Sequence, residues 1–209
     1  MIEHENNATE HHHTSQGQSV FDTPEMFVEK FDGPERDQWQ KPDEVIASFN
    51  LPPDATVVEV GAGTGYFAVR LAEHVRNGKI ITFDQSKNMA SYLGNRVREL
   101  GLTNVESRVS EADGSLQMQE QADLIFSVDV YHHLQDRVAY FSKLSGHLKP
   151  DGVLAIIDRT EEKVEGQPTG HRVPAGTVKK EMREAGFELV NEFDFLLPIQ
   201  YYLTFKRAS

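Results

Sequence analysis

Residues 57–75 read VVEVGAGTGYFAVRLAEHV, and residues 80–86 read IITFDQS. Val57, Val58 and Val60 are apolar and β-branched, the composition of a strand buried on both faces. Gly61, Gly63 and Gly65, with Ala62 between the first two, follow at once and remove side chains where the backbone must turn sharply and where a ligand must come close. Ala68, Leu71, Ala72 and Val75 then recur at the spacing of an apolar helical stripe. A second apolar run ends at Asp84, 19 residues beyond Gly65, with Gln85 next to it. Strand, glycine turn, helix, strand and acidic terminus form the βαβ unit that holds a nucleoside-bearing cofactor, with the carboxylate accepting hydrogen bonds from ribose hydroxyls. The turn is expected to leave backbone N–H groups exposed.

The spacing of the glycines narrows the ligand. A dinucleotide fingerprint is G-x-G-x-x-G with a pyrophosphate on the helix N-terminus, whereas Tyr66 stands here at the third glycine's place. Glu59, two residues before Gly61, puts a carboxylate at the mouth of the turn, where it repels a pyrophosphate and can accept hydrogen bonds from an ammonium group. The residues favour a cationic, phosphate-free nucleoside ligand.

EVGAGTG, Phe83–Asp84, DLIFSVDVYHHL and LKPDGVLAIID, in that order, resemble the motifs of the class I S-adenosylmethionine-dependent methyltransferases. The resemblance covers roughly residues 43–206, and WQKPDEV, GAGTGYF, VYHHLQDR and FLLPIQYYLTF are similar to a group of small bacterial methyltransferases. It implies S-adenosyl-L-methionine as cofactor, with Glu59, the Gly61–Ala62–Gly63–Gly65 turn, Asp84 and Gln85 around it. It also implies an acidic adenine contact after the third strand: Glu111, beside Ala112, is the first choice and Asp113 the second, the alternative being that either caps a turn. Backbone near Ser127 and Val128 would face the methionine part, and the residues after them the methyl acceptor.

The 209 residues, 38% hydrophobic and 26% charged, suffice for one α/β domain and are too few for two ordinary ones. The absence of cysteine excludes a disulfide framework, a zinc–thiolate site and a cysteine nucleophile. MIEHENNATEHHH has neither a basic n-region nor an apolar h-region, and no stretch approaches a membrane span, so the expected location is cytoplasmic. A formal charge of −12 argues against a broad footprint on nucleic acid. His11–His13 lack the spacing and further ligands of a built metal site, and no metal is expected.

Residues 1–18 are polar and expected to be disordered, with a single domain over 19–209: a helical lid at 19–50 and a core at 51–209. In the lid, Thr23–Pro24 starts a helix offering Met26, Phe27 and Phe31 for burial, and Pro42–Phe49 forms another. Trp39 either closes the pocket or anchors the lid to the surface. Further helices are expected from Met89 to Leu100, from Asp136 to Leu148 and from Thr177 to Ala185. Strands are expected at 105–109, 122–128, 153–158, 187–195 and 199–205. The connection between the last two is too short for a crossover, so they run antiparallel. The fold class is α/β, a Rossmann-like, seven-stranded, mostly parallel sheet with an antiparallel last strand and helices on both faces. Tyr201 and Tyr202 are placed on a sheet edge.

The fourth strand ends in the richest polar cluster of the chain: Ser127, Asp129, Tyr131, His132 and His133. Either histidine can remove a proton from an oxygen or nitrogen acceptor, or can instead cap or pack the following helix. His171 and Arg172, in the long loop 159–175, are acceptor contacts or members of a solvated loop. Methyl transfer to a small molecule uses these parts with least strain. A non-catalytic S-adenosylmethionine-binding module is the alternative, and an NAD-dependent oxidoreductase lacks both its glycine spacing and a Tyr–Lys pair. Oligomeric state and acceptor identity do not follow from the sequence.

Overall fold

Prolines set the rhythm of the N-terminal segment, because a fixed φ and a missing N–H suit the first turn of a helix. A 3-10 turn at Pro24–Met26 leads into α1 (Val28–Asp32), Pro34 opens α2 (Pro34–Gln40), and Pro42 opens α3 (Pro42–Ser48). The computed structural model describes residues 23–111, 113, 115–162, 164 and 170–208. The tail at 1–18, with His11–His13, lies outside them. Helix α2 was not expected from the sequence, and Met26, expected to be buried, is 77% exposed. Phe27 and Phe31 stack on each other at 5.3 Å instead of entering the core.

The βαβ unit forms as the pattern dictates, with β1 (Thr56–Val60), α4 (Tyr66–Leu71) and β2 (Lys79–Asp84). Helix α4 stops at Leu71, but Ala72 and Val75 remain buried in the turn that follows. Next come α5 (Lys87–Glu99), β3 (Val105–Val109) and β4 (Ala122–Val128). A 3-10 turn at Tyr131–His133 then precedes α6 (Arg137–Leu144), β5 (Leu148–Arg159), α7 (Ala175–Glu184), β6 (Phe187–Phe193) and β7 (Gln200–Arg207). Helix α6 ends one turn earlier than its apolar spacing implies, in a 3-10 turn at Ser145–His147. Strand β5 starts correspondingly early, and its Lys149–Gly152 segment is accommodated by a register shift against β4.

The strands lie in the order β3-β2-β1-β4-β5-β7-β6, with β7 antiparallel to both β5 and β6. Adjacent residues of β1 serve opposite faces: Val57 packs with α4 and α5, Val58 with α6 and α7. That two-sided burial explains the continuous apolar strands. Strand β7 is interior, so Tyr201 and Tyr202 are buried, at 3% and 0% exposure, and not on an edge. Among the described residues no helix is long and apolar enough to cross a membrane.

Candidate active site

The strand order reverses between β1 and β4, and in open α/β sheets ligands bind beyond the carboxyl ends at such a reversal. A cavity of about 790 Å³ lies there. Its walls come from the β1–α4 turn, from Asp84 at the end of β2 and Gln85 after it, from Asp129 and His133 after β4, from Arg159 and Gln200, and from Phe31, Arg36 and Trp39 of the N-terminal helices. Trp39 is therefore a cavity residue.

All three turn glycines have positive φ, at 71°, 55° and 90° for Gly61, Gly63 and Gly65, but they answer different needs. A Cβ on Gly61 would stand 2.3 Å from Val130 Cγ2, and one on Gly65 would stand 2.2 Å from Leu93 Cδ1, whereas at Gly63 it would meet only the Phe31 ring at 3.6 Å. Close packing is thus carried by Gly61 and Gly65, and Gly65 does not line the cavity, whereas Gly63 and Ala62 do.

The backbone N–H groups of Gly61, Ala62, Gly63 and Gly65 are bonded within the protein, contrary to the expectation that they stand exposed. Those of Gly61 and Ala62 donate to Phe83 O at 2.7 and 3.3 Å, and that of Gly65 to Ala62 O at 2.9 Å. Gly63 N–H donates to Asp84 Oδ2 at 2.9 Å. Donors already satisfied by protein acceptors make a poor phosphate cradle, in keeping with a phosphate-free ligand.

Asp84 also accepts from Ser86 N–H at 2.9 Å. Burial pushes its carboxyl up, and the two N–H groups pull it partly back. Glu59 is 4% exposed. Desolvation pushes its carboxyl up to about 8, offset in part by Arg36 and a hydrogen bond from the Ala68 backbone. Its Oε2 is buried without a partner. An orphaned carboxylate oxygen in a cavity fits a ligand bearing an ammonium group.

Tyr66 turns toward the N-terminal helices. The guanidinium groups of Arg36 and Arg70 each lie 4.0 Å from its ring centre, and its hydroxyl donates to Asp37 Oδ1 at 2.5 Å. Lys41 Nζ donates to Phe195 O at 2.7 Å, and Arg96 Nη1 to Asp32 Oδ2 at 2.8 Å, tying the same segment to two further elements.

On the far side, Asp129 adopts a left-handed backbone with φ 57°. Its Oδ1 accepts from Gln200 Nε2 at 2.9 Å and lies 3.5 Å from Arg159 Nε. Burial, followed by the nearby Asp158, pushes its carboxyl up. His133 lines the cavity, and burial followed by His132 pushes its imidazole down to about 4. The rings of His132 and His133 lie 4.0 Å apart, because the 3-10 turn brings the neighbours together as a regular strand would not. His132 itself is sealed away from the cavity: its Nδ1 lies 2.7 Å from Asp158 Oδ1, and its N–H donates to Asp158 Oδ2 at 3.1 Å.

Several other sequence candidates lie off the cavity wall. Ser127 is buried beside it, Glu111 is exposed, and Ser110 takes the wall position expected of Glu111. Ala112 falls outside the described residues. Asp113 pairs with Lys143 at 2.7 Å on the surface. His171 is exposed, and Arg172 donates to Thr160 O at 2.7 Å and to Glu162 O, closing the base of its loop. Sequence reasoning missed Arg36, Gln40, Arg159 and Gln200. Only Gln200 carries a local signal, a polar side chain between Ile199 and Tyr201; Arg36, Gln40 and Arg159 stand among other polar residues and have none.

Residues 51–193 match a family model described as a methyltransferase domain. Phosphoethanolamine N-methyltransferase 1 of Arabidopsis thaliana is 28% identical over 151 residues, covering 70% of this chain and 28% of that protein. Ribosomal RNA small subunit methyltransferase G of Trichormus variabilis is 30% identical over 146 residues, covering 66% of this chain and 56% of that protein. The chain thus spans less than two thirds of either relative. A solved SAM-dependent methyltransferase from Aquifex aeolicus superposes with a TM-score of 0.81 at 26% identity, covering 89% of this chain and 99% of that one.

Proposed function

Because the chain belongs to this methyltransferase-domain family, we propose that it transfers a methyl group from S-adenosyl-L-methionine to a small-molecule acceptor. The observation that carries the acceptor class is the cavity, whose 790 Å³ lies in the range of small-ligand pockets and is roofed by α1 and α2. A cofactor filling the turn side leaves room for a small acceptor, and the roof together with the −12 charge disfavours a nucleic acid strand.

When bound, the cofactor supplies an activated methyl group on a sulfonium. Glu59 would hold its ammonium end, Gly63 and Ala62 its flank, and Asp84 with Gln85 its ribose. Ser110 sits beyond them in the place where Glu111 was expected to meet the adenine. On the opposite side, Asp129 and His133 accept hydrogen bonds from the N–H or O–H of the acceptor and orient its lone pair. His133 stays neutral at ordinary pH and so remains an acceptor. Such alignment, with water kept out by the roof of residues 23–50, can contribute about 7–11 kcal/mol to lowering the barrier.

The test is formation of S-adenosylhomocysteine by the purified protein across a panel of small amines and hydroxy compounds, with ribosomal RNA in parallel and Asp84→Ala as control. Turnover with a small compound that collapses in the variant supports the reading. Turnover with RNA alone overturns the acceptor class, and binding without any turnover favours a non-catalytic cofactor-binding module.

A further inference from the structure

Arg36 carries two hydrogen bonds, from Nη1 to Phe31 O at 2.8 Å and from Nη2 to Gln40 Oε1 at 3.2 Å. Its Nε is buried without a partner. So is Glu59 Oε2, which borders the same cavity. An unmatched buried donor and an unmatched buried acceptor are each unfavourable. Together they mark a position for a ligand that carries both an anion and a cation.

Gln40 and Gln200 are each fully buried, at 0% exposure. Gln40 Nε2 donates to Gln200 Oε1 at 2.6 Å, and Gln200 Nε2 donates to Asp129 Oδ1 at 2.9 Å. The polarity of this chain is fixed by its Arg36 end. A guanidinium can only donate, so Gln40 turns its oxygen to Arg36 and its amide N–H₂ to Gln200, whose oxygen accepts it and whose own N–H₂ then faces Asp129. The two amides therefore have one arrangement, and an unbroken line of hydrogen bonds joins Arg36 to Asp129. Asp129 is also the residue with something to lose, because a non-glycine side chain in the left-handed region depends on its surroundings to stay there.

We propose that Arg36 clamps the carboxylate of the cofactor's amino-acid end and that the Gln40–Gln200 relay carries the position of this clamp to Asp129, so that cofactor binding sets the acceptor side of the site. The proposal rests on the cofactor reading above. Gln40 and Gln200 are positioning residues in it, Gln40 from off the cavity wall and Gln200 through its bond to Asp129, and Arg36 contacts the cofactor.

The experiment is calorimetric titration with S-adenosylmethionine and with decarboxylated S-adenosylmethionine, which differ only in the carboxylate. Wild type is expected to bind the first about tenfold or more tightly than the second. Arg36→Gln should erase that preference by weakening binding of S-adenosylmethionine about tenfold more than binding of the decarboxylated compound, and Arg36→Lys should restore part of it. Binding of both compounds with equal affinity by wild type overturns the clamp alone; binding of neither overturns the cofactor reading as well.

The relay is tested by combining Arg36→Gln with Asp129→Asn, whose effects on S-adenosylmethionine affinity should fail to multiply by about threefold or more. Gln40→Met, which keeps the length of the side chain and removes its hydrogen bonds, should abolish that coupling, and Gln200→Met should do the same, with thermal melting confirming the fold of each variant. Coupling that persists in either methionine background is direct charge interaction across the cavity, and overturns the relay.

Discussion

Nδ1 of His132 lies 2.7 Å from Oδ1 of Asp158, and the two side chains are 2% and 1% exposed. Asp158 ends the buried part of β5, and His132 is the middle residue of the 3-10 turn after β4, so the pair fastens the acceptor-side loop to the sheet. Removing one member of a buried pair leaves its partner's charge or polarity without compensation. His132→Ala is therefore expected to lower stability by about 3 kcal/mol in denaturant unfolding. An unchanged midpoint would remove the structural assignment.

His133 is expected to behave in the opposite way. His133→Ala should leave the unfolding midpoint nearly where it is and reduce turnover, since the imidazole faces the cavity. Its imidazole stays uncharged down to about pH 4, so turnover should show no titration between pH 6 and 7 that the variant lacks. The folded form binds fewer protons than the unfolded between about 4 and the ordinary 6.5 of histidine. Stability therefore falls as pH drops through that window, and His133→Ala should be less sensitive to acid there.

The proton on Glu59 has a measurable signature. Its carboxyl keeps a proton up to about pH 8 when folded and loses it near the ordinary 4.5 when unfolded. The folded state binds the extra proton between those values, so stability declines as pH rises through them, by at most about 1.4 kcal/mol per unit. Glu59→Gln should flatten that decline. A ligand ammonium favours the ionised carboxylate, so titration with S-adenosylmethionine at pH 7 should release a proton, seen as a binding heat that depends on the buffer's ionisation enthalpy. A buffer-independent heat would remove Glu59 from the ammonium contact.

The three turn glycines should separate under alanine substitution. Gly61→Ala and Gly65→Ala place a Cβ against Val130 and Leu93 at 2.3 and 2.2 Å. Each should lower stability by about 2 kcal/mol or more. Gly63→Ala meets only the Phe31 ring at 3.6 Å, so its cost is the left-handed backbone alone, about 1 kcal/mol. It should melt nearest to wild type and lose cofactor affinity, which calorimetry reads directly.

Tyr66 holds the N-terminal helices by its ring and its hydroxyl together. Tyr66→Phe keeps the stacking of Arg36 and Arg70 and loses the bond to Asp37; Tyr66→Leu loses both. Limited proteolysis within residues 23–41 should accelerate slightly in the first variant and several-fold in the second. Equal rates in all three proteins would show that Lys41 and Arg96 suffice to hold the segment.

The glycine turn, β1, β2 and the antiparallel β7 were legible because each rests on local chemistry: branched residues, glycines at positive φ, a connection too short for a crossover. Tyr201 and Tyr202 were misplaced because sequence order says nothing of β7 entering the sheet between β5 and β6. Arg36 and Gln40 escaped notice because α2 is short and polar, bracketed by Gly33–Pro34 and Lys41–Pro42, and its meaning lies in partners such as Gln200, 160 residues away. Glu111 was chosen by sign of charge, yet the wall position belongs to Ser110. The His132–His133 pair could be located but not divided, since which ring faces the cavity is decided by Asp158 on another strand.

The outer strands of the sheet bear on how the protein behaves in a crowded solution. On one side β3 displays Glu106 and Arg108 in an ion-paired group with Lys79. On the other, β6 carries a register shift between Leu189 and Asn191 with Glu188 and Glu192 around it. A bulge spoils the even ladder that an incoming strand would copy, and acidic residues next to exposed Leu189 and Val190 make such docking place charge against charge. The charged group on one margin and the bulge on the other both disfavour pairing with an added strand, even where Val109, Leu189 and Val190 stand exposed.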